Sequence, residues 1–297
     1  MTHWDKVIKG RGFPRPIKNK VPDFAFSQVN MTGNLYNPVI DQMWIDEKSE
    51  KPKWPDNKPY AVCITHDVDV ISLQSKKENF RRMKHVFKTW SQQKTKQNMI
   101  IAFESLENIT NSMFSSMDPY HRIEDWLKVE QEVGARSTFF FAPEYVLKSH
   151  FTDCWYKYND KLRFEGKIIT VAELMRELHR RGWEIGLHPS WYSYNSVDEM
   201  KYQKEQIEKV LDCEIVSVRQ HFLHFDNRIT PSVQAEAGFK YDSTLGFNDN
   251  IGFKRGTSFA YPFVNLVNND TLPVWEIPLI IQEELHRDGM VKHLWQK

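Results

Sequence analysis

Cysteine is scarce: three thiols, Cys63, Cys154 and Cys213, in 297 residues. The number is odd, the spacings are wide and no CxxC pair occurs, which excludes a disulfide framework and a cysteine-type zinc ribbon. Glycine and proline are also few, at 12 and 14, so collagen-like and low-complexity chains are excluded. No apolar run approaches the roughly 18 residues that cross a bilayer. The opening MTHWDKVIKGRGFPRP has no apolar signal region, so a cytoplasmic protein without membrane contact is the expectation. Charge of one sign is missing too. Lys plus Arg total 40 against 39 Asp plus Glu, a net charge of +1, which gives no global pull toward nucleic acid or anionic lipid. What is present is an apolar and aromatic load: 40% hydrophobic residues, with 10 Trp, 19 Phe and 11 Tyr. That composition builds a core and excludes a disordered chain.

Residues 1–58 are rich in Pro, Lys and Asn without clear periodicity and read as an extension packed on the body. Residues 59–297 read as the main domain. The apolar run Tyr60-Ala61-Val62-Cys63-Ile64-Thr65 predicts the first strand, with Cys63 a buried free thiol. Residues 71–120 read as a basic helical insertion. Between 76 and 98 stand Lys76, Lys77, Arg81, Arg82, Lys84, Lys88, Lys94 and Lys96 against the single acid Glu78. Met83, Val86, Phe87 and Trp90 keep helical spacing there, so an amphipathic helix with a solvated basic face is predicted.

Beyond 120 the chain alternates. Ile123, Trp126, Leu127, Val129 and Val133 predict a helix ending at Gly134, followed by a buried strand at 137–141. Thr170 with Glu173, and Ser196 with Glu199, form two capping boxes that open helices. Gly182 stops the first of these, and the second runs to about Leu211. Further strands are predicted at 183–187, 215–218, 239–241 and 274–277. Alternating strands and helices imply parallel βα units, as a βα barrel or an open α/β sheet. In both, active groups gather at the C-terminal ends of the strands.

Polar residues fall at those ends. The first strand runs into Thr65-His66-Asp67-Val68-Asp69, the 183–187 strand into His188-Pro189-Ser190, and the 215–218 strand into Arg219-Gln220-His221 with His224 behind. The 239–241 strand runs into Asp242-Ser243-Thr244. If these strands are neighbours, two carboxylates, one or two histidines and an arginine share one rim. Oxygen and imidazole ligands together suit a divalent ion such as zinc.

Thr65-His66-Asp67-Val68-Asp69 resembles the first motif of the polysaccharide deacetylases (carbohydrate esterase family 4, the NodB-homology domain), usually TFDDG. Arg136-Ser137-Thr138-Phe139-Phe140-Phe141 resembles the family's second strand. Gly182-Trp183-Glu184-Ile185-Gly186-Leu187-His188 resembles the strand delivering its H-[ST]-x-x-H motif. Arg219 stands at the third-motif arginine, and Glu276-Ile277-Pro278-Leu279 resembles a late strand. The resemblance covers roughly residues 59–281, and five motifs in order are more specific than any one alone. It implies a distorted (β/α)7-type barrel, incomplete at its C-terminal part. It also implies a metal-dependent hydrolase of carbon–nitrogen bonds that removes acetyl groups from N-acetylated sugars or glycans. On the resemblance, Asp67 is the general base, and Asp69 and His188 are metal ligands. Arg219 pairs with Asp67, holding it ionised and aimed, and Asp242 supports that arginine from behind.

Three departures stand out. Tyr192 occupies the place of the second motif's second histidine. The third motif reads Arg219-Gln220-His221 instead of R-x-P, so His221 is expected to supply the missing imidazole. The family's last histidine motif has no match; His224 is a candidate general acid, and His293 a weaker one on the presumed last helix. Blander readings accompany each residue. Asp67 and Asp69 can be loop-opening acids, His188 a turn residue before proline, His224 a surface-loop residue, and Asp242-Ser243-Thr244 a turn cap. Trp191, Tyr192 and Tyr194 form either a sugar-stacking wall or loop packing. Two other functions fit the pattern: a catalytically impaired glycan binder, and a nucleotide-sugar glycosyltransferase with Asp67-Val68-Asp69 as its DxD.

Overall fold

The computed structural model describes residues 36–46, 54–71, 123–150, 152–248 and 250–282. The basic stretch at 76–98, most of residues 1–58 and His293 lie outside them. In chain order the strands are β1 (Thr65–Val68), β2 (Thr138–Phe141), β3 (Lys161–Phe164), β4 (Lys167–Thr170), β5 (Glu184–Leu187), β6 (Ser217–Val218), β7 (Tyr241–Asp242), β8 (Tyr261–Val264) and β9 (Thr271–Glu276). The α-helices are α1 (Val39–Asp46), α2 (Ile123–Glu132), α3 (Val171–Arg180), α4 (Val197–Leu211) and α5 (Thr230–Glu236). They group into two compact units.

The first unit is built on a seven-stranded sheet in the order β1-β2-β5-β6-β7-β9-β8. Neighbouring pairs from β5 to β9 run parallel. So do β2 and β5, where Glu184 N meets Ser137 O and His188 N meets Phe141 O, both numbers rising together. β8 turns back antiparallel on β9. This mostly parallel sheet with helical connections is the α/β class that alternation implied; β1 and β8 stand at the two ends of the order. β2 is apolar at every inner position because both faces are covered: Phe139, Phe140 and Phe141 are almost fully buried. Gly186 on β5 is forced by that packing. A Cβ there would stand 2.6 Å from the Phe140 ring and from Ser217 Oγ. α1 inserts Ile40 among Phe225, Leu245, Tyr261, Phe263 and Val274. Its Asp41 carboxylate accepts from Thr257 Oγ1 at 2.6 Å and Ser258 N at 2.9 Å.

The second unit holds the β3–β4 hairpin, α2 and α3. α3 starts as its sequence dictates: Thr170 Oγ1 accepts Glu173 N at 3.2 Å, and Glu173 Oε2 accepts Thr170 N at 2.7 Å. Val171, Leu174, Met175 and Leu178 form its buried face, and the chain leaves it at Gly182 with φ +93°. α2 ends near Gly134 at φ +70°. Its buried Glu130 accepts Trp183 Nε1 at 2.6 Å and Ser137 N at 3.1 Å.

Several expectations need correction. The first strand does not occupy 60–65. Tyr60, Val62 and Cys63 are exposed, and β1 begins at Thr65, so the polar motif is itself the strand. Ser196 caps α4 by accepting Glu199 N at 3.2 Å, but Glu199 does not reciprocate. Its buried carboxylate is drawn to Leu147 N at 2.9 Å, Lys148 N at 3.2 Å and Gln203 Nε2 at 2.5 Å. The β3–β4 hairpin was not anticipated; its two-residue turn is Glu165-Gly166, both at positive φ, without the Asn-Gly or Asp-Gly signal. β8 was missed as well.

Candidate active site

The expected rim residues sit where strands end: Asp67 within β1 and Asp69 just past it, His188 after β5, Arg219 after β6 and Asp242 closing β7. In the sheet order β1 and β6 are three strand spacings apart, about 14 Å on a flat sheet. Arginine's length closes that gap. Arg219 Nη1 donates to Asp67 Oδ1 at 3.0 Å, and the guanidinium carbon lies 4.7 Å from the centre of the Phe140 ring on β2. The arginine side chain is 4% exposed and the aspartate 32%, so a buried cation anchors a solvent-facing carboxylate. This is a charge-assisted contact with a fixed direction.

Arg219 is in turn held by Ser243. Its Nε donates to Ser243 O at 2.8 Å and its Nη2 to Ser243 Oγ at 2.9 Å. Asp242, the residue expected to support the arginine from behind, immediately precedes this serine. The Asp242 carboxylate instead accepts Gln234 Nε2 at 2.9 Å and Thr244 Oγ1 at 2.6 Å. Burial pushes its pKa up from the ordinary value. Glu276, its neighbour on β9, is raised well above the usual carboxylate range, by burial and then by the Asp242 charge.

The two histidines meet. His188 Nδ1 lies 2.7 Å from Arg219 O, and His221 Nε2 lies 2.8 Å from Thr152 O. A carbonyl can only accept, so each of these nitrogens carries a hydrogen. That leaves His188 Nε2 and His221 Nδ1 as lone-pair nitrogens, and they face one another at 3.0 Å. Two lone pairs at hydrogen-bond distance repel unless a metal cation lies against both or the rings share a proton. Two ligands of a tetrahedral ion with bonds near 2 Å are themselves about 3.3 Å apart. Outward N–H groups on backbone carbonyls are also how metal-bound imidazoles are usually oriented. His188 and His221 each offer one ligand atom, and two buried imidazoles suit a divalent ion. Asp69 Oδ1 receives Cys154 Sγ at 3.6 Å.

Around His221 the rings pack together. Trp191 stacks on His150 with centroids 4.5 Å apart and lies 4.1 Å from His224, which lies 4.0 Å from Tyr194. Lys148 Nζ sits 3.9 Å over the Tyr192 ring. Trp191 and Tyr194 are half-buried in this cluster of rings. His224 is buried, not a surface residue, and hydrogen-bonds Trp191 O at 3.0 Å. Burial lowers its pKa to about 4. Burial thus favours the neutral ring near pH 7. Sequence reasoning missed Ser243 and Glu276. The signal for Glu276 was present, since an acid ends the apolar β9 as acids end β1.

No family model matches the sequence, and no curated protein matches it. Solved structures similar to this chain include a protein assigned as a polysaccharide deacetylase from Mycobacterium smegmatis, 20% identical, covering 77% of this chain and 61% of that one, TM-score 0.44. Another is the Streptococcus pyogenes deacetylase PplD in complex with acetate, 14% identical, covering 57% and 65%, TM-score 0.32. A third is a mutant of BA3943, a CE4-family pseudoenzyme with restored enzymatic activity, 12% identical, covering 58% and 57%, TM-score 0.30. The chain spans less than two thirds of the length of each of the three.

Proposed function

We propose that the chain is a metal-dependent amide hydrolase of the polysaccharide deacetylase kind, removing acetyl groups from N-acetylated sugars or glycans. The observation that carries this reading is the pair of inward imidazole nitrogens of His188 and His221, 3.0 Å apart, on the same strand-end rim as an arginine-held carboxylate. Residues 59–297 would form the catalytic domain, with 1–58 as an extension. Asp69, His188 and His221 would hold the ion, and two imidazoles with one carboxylate suit zinc. Such an ion, when bound, supplies Lewis acidity, lowering the pKa of water and polarising an amide carbonyl. Asp67 takes the proton from the attacking water as general base. Arg219 fixes the plane of that carboxylate through Oδ1, and its own direction is set by Ser243. With His224 neutral and hydrogen-bonded to Trp191 O, Asp67 is the group that returns a proton to the departing amine.

Acetate release from N-acetylated oligosaccharides by the zinc-loaded protein tests the reading. The wild type is expected to release acetate. Asp67→Asn should lower the rate by about a hundred-fold or more while keeping its zinc. A zinc-bound wild type that binds glycan but releases no acetate overturns the reading in favour of a glycan-binding protein. Turnover of a nucleotide sugar overturns it in favour of a transferase.

A further inference from the structure

Behind Arg219 lies a buried carboxyl pair that the reaction itself does not use. Asp242 and Glu276 are register partners on β7 and β9, and both are fully buried. Asp242 is surrounded by donors: Gln234 Nε2 at 2.9 Å and Thr244 Oγ1 at 2.6 Å on Oδ1, and Thr244 N at 3.4 Å on Oδ2. Glu276 Oε1 accepts Leu245 N at 2.9 Å. Its other oxygen is buried with no hydrogen-bond partner among the described residues, and register partners on adjacent strands project to one face of the sheet about 4.8 Å apart. One proton on Glu276 Oε2, donated to Asp242, satisfies every one of these atoms. Two adjacent carboxylates in a dry site would instead repel.

We propose that Asp242 and Glu276, joined as a carboxylate and a carboxylic acid, are one positioning unit that fixes the Ser243-Thr244 turn and thereby aims Arg219 at Asp67. Thr244 Oγ1 gives its hydrogen to Asp242, which leaves its lone pairs for Gln220 N at 3.0 Å. The preceding residue, Ser243, offers its carbonyl and hydroxyl to Arg219 Nε and Nη2. One turn therefore grips the arginine side chain and the backbone just after it, and Nη1 is left directed at Asp67. Tyr261 on β8 and Arg255 from the preceding loop are the other titratable groups facing the pair. Loss of the shared proton would leave two facing carboxylates that repel and loosen the turn. The inference rests on the reading that Arg219 orients the catalytic base.

The test uses the zinc-loaded 297-residue chain and follows the Arg219 Nε–H resonance across pH, assigned by its disappearance in Arg219→Lys, together with kcat/KM for acetate release from N-acetylated oligosaccharides. The wild-type resonance should be protected near neutrality and lost as the pH rises through deprotonation of Glu276. Glu276→Gln, whose amide donates to Asp242 in place of the hydroxyl, should keep the resonance and move the midpoint of its loss to higher pH. A residue that merely filled space would not move that midpoint. Asp242→Ala should lose the protection and lower kcat/KM about ten- to a hundred-fold, mainly through kcat. Should that variant fail to fold, Ser243→Ala tests the same link by removing the Nη2 acceptor, and the Arg219 resonance should broaden. An unmoved midpoint in Glu276→Gln, or an Arg219 resonance indifferent to Ser243→Ala, overturns the proposal. A wild type that releases no acetate from N-acetylated oligosaccharides overturns the functional reading, while the spectroscopic arm still decides the positioning unit.

Discussion

One ring nitrogen of His188 and one of His221 end on backbone carbonyls, and that detail decides the chemistry of the opposite nitrogens. A third histidine close by behaves in the contrary way. His224 lies between Trp191 and Tyr194, where burial depresses its pKa from 6.5 to about 4. In the unfolded chain the ring takes up a proton near 6.5, and in the folded protein only near 4. Between those values the unfolded state binds more protons, so stability falls as the pH falls through that window and is fully retained above it. Thermal melts between pH 7 and pH 4 should show this decline. His224→Phe, which keeps a ring in the stack and has no proton to gain, should show a shallower one. An unchanged slope would mean that other groups set the acid sensitivity.

At the scale of the strand, Gly186 ties packing to function. It sits on β5 between β2 and β6, and a methyl group there would meet Phe140 and Ser217 Oγ at 2.6 Å. Phe140 is the ring beneath the Arg219 guanidinium. Gly186→Ala should therefore destabilise the fold by about 1–3 kcal/mol, the usual cost of overpacking, measurable by denaturant unfolding. It should also lower kcat more than a surface substitution of equal stability cost. What the sequence disclosed at this scale follows from locality. The α3 cap needs only Thr170 and Glu173, four positions that fold on themselves, and it was legible. β1 was displaced because the apolar stretch at 60–63 looks like a buried strand yet is exposed. That choice depends on what covers the chain, which no local pattern encodes. β3, with Lys161, Leu162, Arg163 and Phe164, alternates too briefly to separate from a loop. The strand-end residues His188 and Arg219 were legible because parallel sheets place chemistry there. His221 was singled out through a paired loss and gain, Tyr192 standing where the resembling motif has a histidine and His221 where it has a proline, and its ring meets that of His188. Ser243 was not, because nothing distinguishes one serine from another until an arginine is seen to reach it.

For the molecule as a whole, the candidate ligands come from three widely separated positions in the chain: Asp69, His188 and His221. Any ion they hold is bound by the native state and not by the unfolded chain, so binding adds to folding stability by mass action. At a free concentration a hundred times the dissociation constant the gain is about 2.7 kcal/mol. At about 2–4 °C per kcal/mol for chains somewhat shorter than this one, the melting temperature should rise by about 5–10 °C when zinc is added to chelator-treated protein. A chelator should reverse it. His188→Ala should abolish the rise, because a two-ligand site binds too weakly to shift the equilibrium. Asp67→Asn should keep the rise in full while losing hydrolysis, because its carboxylate is turned to Arg219 and contributes no bond to the ion. This opposite behaviour of two residues on the same rim is the discriminating outcome. A rise lost in Asp67→Asn and kept in His188→Ala would show that the cation sits elsewhere and that the facing imidazoles are stabilised by a shared proton instead.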